Sequence, residues 1–546
     1  MLIYRLSQRI AILNRRFRYG CAFGPFPFAV PVREVFFLNS QTVYWLSSGR
    51  KLSGPGRVGG LMRKVFLLFA LVGMVPSYSA GAAPNVLLIL ADDMGVEALS
   101  VYGLGETAPT TAAIDEIARK GVVFRNFWSQ PVCSPTRATI LTGRYGFRTG
   151  VGWPIGPAAD GGASGPLPDV PAKPLWAPFE PPGMGRRVGN PVTRGLRTSE
   201  HMLPMALNAG SGGAYRTAAI GKWHAADAEN GWLEHPRRSG VDYYEAVMHG
   251  ENSYFAWRKN LNGEVIGMTN YGAEDRVDAT INWVREQGSE PWFMWLSFIL
   301  PHTPLHLPPR ELLQSDYSDL SPTADARENP IRYFHAMIEA MDTAIGRVLD
   351  AMDPEVRENT YVLFIGDNGT TAISVAEPFD ARRAKGTVYQ GGVSVPLIVS
   401  GPGVVAGGVS DALVNSVDLY STILEIAEAN LGAAIPSRVN LDSVSFSPYL
   451  VDPEQPSLRD WIYVDAFQGS YSGVAAANYA MRNDRYKLLR HEGVEELYDL
   501  MADPYEHNNL LDGSLSAEES QQHRLLKAQI EALRAGTSSE GRYTVQ

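Results

Sequence analysis

Asn85-Val-Leu-Leu-Ile-Leu-Ala91-Asp92-Asp93-Met-Gly95 runs six apolar residues, 86–91, straight into a pair of carboxylates. An unbroken apolar run of this length, rather than an alternating one, suits a strand buried on both faces of a parallel sheet. Similar runs recur at 217–220, 292–300, 361–365 and 395–400. Helical patterns lie among them, at 111–120 (ending at Gly121), 331–352 and 413–429. The alternation predicts an α/β fold with a large, mostly parallel central sheet flanked by helices. After about Gly432 the rhythm changes to short segments at 461–466, 479–482, 486–490 and 496–500, then a helical pattern at 517–535. These predict a smaller C-terminal domain of antiparallel sheet plus helix. The expected division is a catalytic region over 83–432 and a smaller α+β domain over 433–546. A Gly/Pro-rich irregular insertion interrupts the first at about 151–198, and loops of that length are usually functional or disordered.

Ligands of open α/β sheets bind beyond the carboxyl ends of the strands. The polar residues of this chain gather at those ends: Asp92 and Asp93 after the first run, Asp367-Asn368-Gly369 after Ile365, Lys222-Trp-His224 after Ile220, and His302 after Leu300. Three Asp carboxylates and an Asn carbonyl are hard oxygen donors, which suit Ca²⁺ or Mg²⁺ better than Zn²⁺. Asp92 and Asp93 would face opposite sides of a straight strand, so they share an ion only if the chain turns, and Gly95 permits a turn. A helix N-cap explains an Asp at either site alone; the two sites together favour the metal. Lys222 and His224 share one face of an extended chain, giving a fixed charge for an anionic oxygen and a group that moves protons near neutral pH. A lone His is more often structural, and Lys385, in Arg383-Ala-Lys385-Gly-Thr-Val-Tyr389-Gln-Gly391-Gly392, would by itself be a solvated loop lysine.

With 546 residues, 45% of them hydrophobic and 19% charged, the chain can bury a large core and is longer than one minimal domain. The formal net charge of -10 argues against a broad phosphate-neutralising face, and so against nucleic acid as a partner. An anionic substrate must therefore meet a local group of cations. Residues 62–82 have the parts of a secretory signal: Arg63 and Lys64, an apolar run at 65–75, and Ala80-Gly-Ala82. The apolar run is shorter than the ~20 residues of a spanning helix, so stable membrane insertion after cleavage is not expected. Residues 1–61 are expected to be an extension from a start assigned too far upstream. Cleavage would leave a periplasmic or secreted protein with Cys133 as its single cysteine, since the other, Cys21, lies upstream. Such a cysteine makes no intrachain disulfide and is either an inert buried thiol or a chemical group. Ser134 is a good N-cap and Pro135 a good first helical residue. Cys133 is thus expected at a helix mouth that favours negative charge, with Arg137 four residues on, near the same side.

Cys133-Ser-Pro135-Thr-Arg137, continuing to Thr142-Gly143-Arg144, resembles the C-x-P-x-R signature of the type I, formylglycine-dependent sulfatases, arylsulfatase-like members of the alkaline phosphatase superfamily. The likeness continues in order through NVLLILADDMG, GKWH, PHTP, GDNG and KGTVYQGG to RYKLLR and ELYDLMADPYEHNNL. The resemblance implies an alkaline phosphatase-like fold and hydrolysis of a sulfate ester. It implies that a formylglycine-generating or equivalent maturation enzyme oxidises Cys133 to formylglycine. The hydrated aldehyde is then the nucleophile, and a covalent sulfate hemiester forms. It further implies one Ca²⁺ held by Asp92, Asp93, Asp367, Asn368 and modified residue 133, with Mg²⁺ the alternative ion. Arg137 would stabilise the diol, Lys222, His302 and Lys385 would hold the sulfate, His302 or Lys385 would assist the leaving oxygen, and His224 would assist residue 133. Gln390 and Ser394 depart from the Glu and basic residue common in relatives.

The rival reading is a phosphonate monoester or phosphodiester hydrolase using the same site. The resemblance implies a sulfated small molecule or sulfated carbohydrate as substrate, and aryl, sugar and alkyl esters all fit. Aromatic and His residues in 242–257 suit a sugar-binding wall and core packing equally well.

Overall fold

The computed structural model describes residues 83–105, 107–156, 194–250 and 253–536, with the backbone of β1 (Val35–Asn39) and β2 (Thr42–Leu46), an antiparallel pair in a separate unit, Met1–Ser79. The signal segment 62–82, the rest of 1–61 and the middle of the insertion, 157–193, lie outside the described residues. All that follows belongs to the second unit, Ala80–Gln546.

Ten strands form one sheet: β3 (Asn85–Ala91), β4 (Gly121–Trp128), β5 (Arg216–Lys222), β6 (Tyr243–Val247), β7 (Trp257–Leu261), β8 (Glu264–Met268), β9 (Trp292–Ser297), β10 (Thr360–Gly366), β11 (Leu397–Ser400) and β12 (Gly408–Asn415). Their order is β12-β4-β11-β10-β3-β9-β5-β6-β7-β8. The five central strands, β10, β3, β9, β5 and β6, are mutually parallel. β11 runs antiparallel to both β10 and β4, so β4 regains the central direction. The expected α/β class is thus observed, with antiparallel strands at both flanks. β4, β6, β7, β8 and β12 had no counterpart in the sequence reading.

Alternation along β3 splits the core. Val86, Leu88 and Leu90 face one hydrophobic cluster; Leu87, Ile89 and Ala91 face the other. The helices that cover them are α1 (Ala112–Arg119), α2 (Cys133–Thr142), α3 (Leu203–Ser211), α4 (Gly272–Gln287), α5 (Pro330–Asp350) and α6 (Asp418–Ile426). α2, α3 and α6 pack on the first face; α1, α4 and α5 pack on the second. The helix expected over 413–429 starts later, because Leu413 and Val414 still belong to β12 and pair with Asn126 and Phe127 of β4. Asp418 then marks the corner, accepting hydrogen bonds from the backbone N–H groups of Asn415 and Val444. The run 292–300 also ends early as a strand. At its end Phe298 N–H donates to Leu90 and Asp92 N–H donates to Leu300, tying the two strand ends together.

A second sheet, β13 (Ile462–Ala466), β14 (Asn478–Arg482), β15 (Tyr486–His491) and β16 (Val494–Asp499), is antiparallel in that order. One face packs on Leu526, Ile530 and Leu533 of α7 (Ala517–Arg534). The other meets Trp128, Val388 and Val393, so it backs the segment that carries Lys385.

The parallel register aligns the strand ends. Leu90 is level with Ile365 and Ser297, Ser297 with Gly221, and Lys222 with Val247. Gly221 has φ 96, and a Cβ there would stand 1.8 Å from the Ser297 carbonyl oxygen. A side chain would force β5 off β9 and displace Lys222. Gly221→Ala is expected to cost about 2–4 kcal/mol from strain and overpacking, read as a lower denaturant midpoint, and to reduce catalysis with it.

Candidate active site

The aligned strand ends place the polar residues in one buried basin. One ligand atom from each of Asp92, Asp93, Cys133 and His302 lies within 4.8 Å of the others. Asp92 and Asp93 reach the same basin because Asp93 itself adopts the left-handed conformation, φ 69. Gly95, expected to make the turn, is extended at φ -84 and ψ 171. Its N–H donates to Thr370 Oγ1 (2.9 Å), joining this loop to the one that follows β10. From that loop Asp367 Oδ1 accepts the Asp93 N–H (3.2 Å), and Asn368 Nδ2 donates to Asp93 Oδ1 (2.8 Å).

Cys133 arrives on α2, which begins at Cys133 with Val132 as N-cap, two residues earlier than Ser134 and Pro135 suggest. Ser134 Oγ instead accepts the Ile155 N–H (3.1 Å), and Pro135 falls in the first turn, where a missing N–H costs nothing. The thiol donates to Asp92 Oδ1 (3.4 Å) and receives Lys222 Nζ (3.4 Å) and Lys385 Nζ (3.7 Å). Burial, then the negative charge of Asp92, push it up to about 12. An unmodified Cys133 is therefore a thiol rather than a thiolate at neutral pH.

Three permanent cations interleave with the carboxylates. Lys222 Nζ pairs with Asp92, and Lys385 Nζ with Asp93. The Lys385 side chain is only 8% exposed, unlike the solvated lysine that its loop alone suggests. Arg137 is wholly buried. It donates to the Lys222 carbonyl (2.5 Å), Ser297 Oγ (2.7 Å) and Asp367 Oδ2 (2.8 Å), so it clasps the ends of β5, β9 and β10. Burial raises Asp92, but Lys222, His302, Arg137 and Lys385 outweigh it and hold the carboxyl well below its usual range. Asp367 goes the other way: burial and then Asp92 push it up to about 7.

The histidines differ. His302 Nε2 stands 3.5 Å from Asp93 Oδ2, and burial lowers its affinity for a proton despite Asp93. His224 lies at the same edge, at φ 50, but its Nε2 meets the Ile155 carbonyl (3.0 Å) and its Nδ1 has no hydrogen-bond partner among the described residues. Neither histidine ring hydrogen-bonds to another expected site residue: His302 Nδ1 meets the Thr303 carbonyl (2.6 Å), as His224 Nε2 meets that of Ile155. Ser297 and Thr370 were not singled out from the sequence. Ser297, a lone hydroxyl inside the apolar run 292–300, was the available signal.

The donors suit a hard divalent cation. Among the described residues, Asp93 Oδ2 and Asn368 Oδ1 are buried oxygens without a hydrogen-bond donor, as expected of oxygens aimed at a metal. Three carboxylates balance Arg137, Lys222 and Lys385, so a divalent ion would leave positive charge for an anionic ester.

A family profile described as Sulfatase matches residues 84–429, and one described as N-sulphoglucosamine sulphohydrolase, C-terminal, matches residues 379–536. The chain is 28% identical to N-acetylgalactosamine-6-sulfatase of Homo sapiens over 67% of its own length and 66% of that protein's. It is 25% identical to arylsulfatase A of Homo sapiens, over 85% of its own length and 91% of that protein's. Among solved structures it resembles Ps i-CgsB in complex with k-i-k-neocarrahexaose, with TM-score 0.64 and 22% identity over 84% of this chain and 95% of that one. With the first profile covering well over half of its length, this chain belongs to the sulfatase family.

Proposed function

We propose that the chain hydrolyses a sulfate ester with one bound Ca²⁺ and with Cys133 matured to formylglycine by a dedicated enzyme. The observation that carries this reading is the approach of both lysine ammonium groups to Cys133 Sγ, 3.4 and 3.7 Å, beside the Asp92–Asp93 pair. Asp92, Asp93, Asp367 and Asn368 would hold the ion together with an oxygen of residue 133. Bound there, the ion supplies a Lewis acid that favours an ionised nucleophile and polarises a sulfuryl oxygen. The hydrated aldehyde supplies one hydroxyl to attack sulfur and a second to expel sulfate later, which a thiol cannot do.

The chain's own side chains do the rest. Lys222 and Lys385 hold the sulfuryl oxygens and neutralise their charge, with no reorganisation at the moment of reaction. Lys385, or His302 in its protonated form, delivers the proton that the leaving alcohol takes up; burial lowers the hold of His302 on that proton. Arg137 keeps the strand ends in register. The catalytic region is assigned to 83–432 and the smaller domain, which backs the Lys385 segment, to 433–546. Export to the periplasm or medium follows from segment 62–82; among the described residues, no helix is long and apolar enough to cross a membrane.

The test is turnover of a sulfate and a phosphate ester of one leaving group, before and after chelation. The sulfate ester is expected to be preferred by at least about 100-fold in kcat/KM, equivalent to some 3 kcal/mol. Chelation is expected to remove that activity, and Ca²⁺ to restore it. Preference for the phosphate ester, or indifference to chelation, would overturn the reading.

A further inference from the structure

The segment that carries Lys385 is held from behind by two glutamates of the smaller domain. The Tyr389 hydroxyl donates to Glu496 Oε1 of β16 (2.7 Å), and the next residue, Gln390, donates its backbone N–H to Glu506 Oε2 (2.6 Å). Gln390 opens a single helical turn, Gln390–Val393, and its side-chain oxygen accepts the Trp128 indole N–H (2.8 Å). That turn presses on the loops of the basin. A Cβ on Gly392 would stand 2.2 Å from the Thr387 carbonyl oxygen and 2.9 Å from that of Ala384. Gly369 N–H, next to Asn368, donates to the Gly392 carbonyl (3.0 Å), and Lys385 N–H donates to that of Thr370 (3.0 Å). A shift of the turn is thus passed to the backbone on either side of Lys385.

Glu506 meets Lys487 of β15. The Nζ and Oε1 atoms stand 2.6 Å apart, and both side chains are closed off from water. The Lys487 ammonium also lies over the Trp128 ring, 4.7 Å from its centroid. Burying such a pair is costly. Burial lowers Lys487 to about 8; Glu506 opposes that shift, while Arg482 and Arg383 add to it. Replacing a buried ion pair by apolar side chains of similar volume is often neutral for stability or better, so joining two sheets does not call for one. Apolar side chains could not accept the Gln390 N–H. What the carboxylate adds is direction, because a charged acceptor shortens and aligns the bond it receives, and Lys487 supplies its counter-charge.

We propose that Glu506 and Lys487 are positioning residues for Lys385, so that the smaller domain acts as a strut fixing this lysine against residue 133. Neither side chain touches the substrate. The inference rests on the role of Lys385 in the proposed reaction and goes beyond it, giving the smaller domain a part in turnover.

The test is a mutant cycle in matured full-length enzyme, read as kcat/KM, with the unfolding midpoint checking that each variant is folded. Lys487→Met with Glu506→Met removes both charges and the acceptor, and is expected to lower kcat/KM at least about tenfold. Lys487→Met with Glu506→Gln removes the charges but keeps an oxygen for the Gln390 N–H, and should stay within about threefold of wild type. In a Lys385→Ala background the first pair should cost less than about a further twofold, because the group it positions is gone. Should the first pair not fold, Glu506→Asp alone, which draws the carboxylate back by one methylene, takes its place in the cycle with the same expectations. A loss as large in the Lys385→Ala background as in wild type overturns the strut, since a merely structural pair behaves that way. So do equal losses in the two pairs, and so does an unchanged kcat/KM in the first. The cycle is run on whichever ester, sulfate or phosphate, the wild type cleaves faster. A phosphate preference overturns the proposed function and leaves the strut to be read; a wild type that cleaves neither overturns both.

Discussion

Cys133→Ala should lower turnover of an aryl sulfate by about 10⁵-fold, the scale on which enzymes fail when the nucleophile is removed. The fold should survive. Alanine is the best helix former at the first position of α2, and the deleted atom is one small sulfur among the Asp92, Lys222 and Lys385 side chains. The decisive comparison is kcat alongside the unfolding midpoint. Lost turnover with an unchanged midpoint assigns the chemistry to residue 133; turnover within tenfold of wild type removes it from that role.

Arg137→Met should be the most damaging substitution for stability. The guanidinium is wholly buried between three strand ends, and its loss strands the Lys222 carbonyl and Ser297 Oγ while removing a partner from Asp367 and Asp92. Asp367 already lies near 7 with Arg137 present, because burial and Asp92 oppose its charge. Breaking a buried pair from one side costs about 3–5 kcal/mol. That loss should appear in denaturant unfolding, with kcat falling by at least about 100-fold as the strand ends drift. Asp367→Asn in the same background should recover part of the stability, since it removes the uncompensated carboxylate. A midpoint unchanged by Arg137→Met would mean that the clasp is dispensable.

The architecture was legible where one physical signal dominated. Continuous apolar runs marked β3, β5, β9 and β10, and the residues just past their ends proved to share one basin, because parallel register makes such ends level. The signal failed where strands are short, mixed or exposed. β7 and β8 are partly exposed, so no apolar run betrays them. At 413–429 the apolar pattern spans a strand and a helix, and only the corner at Asp418 separates them.

Local turn chemistry was the weaker guide. Gly95 looked like the hinge, but Asp93 takes the left-handed conformation, tied by its N–H to Asp367 and by its carboxylate to Asn368 and Lys385. Ser134 looked like a cap and is instead a tether for Ile155. In both places tertiary hydrogen bonds overrode a local preference. The bond from Gln390 to Glu506 was not legible at all, since it joins segments 116 residues apart that meet where the second sheet backs the Lys385 segment.

Mass measurement of the peptide carrying residue 133, taken from preparations of differing specific activity, tests most directly whether the basin works through a matured cysteine. The expected peptide is lighter than the cysteine form, by exchange of sulfur and two hydrogens for one oxygen, and its fraction rises in proportion to turnover. A fully active preparation in which residue 133 is still an intact thiol would contradict it.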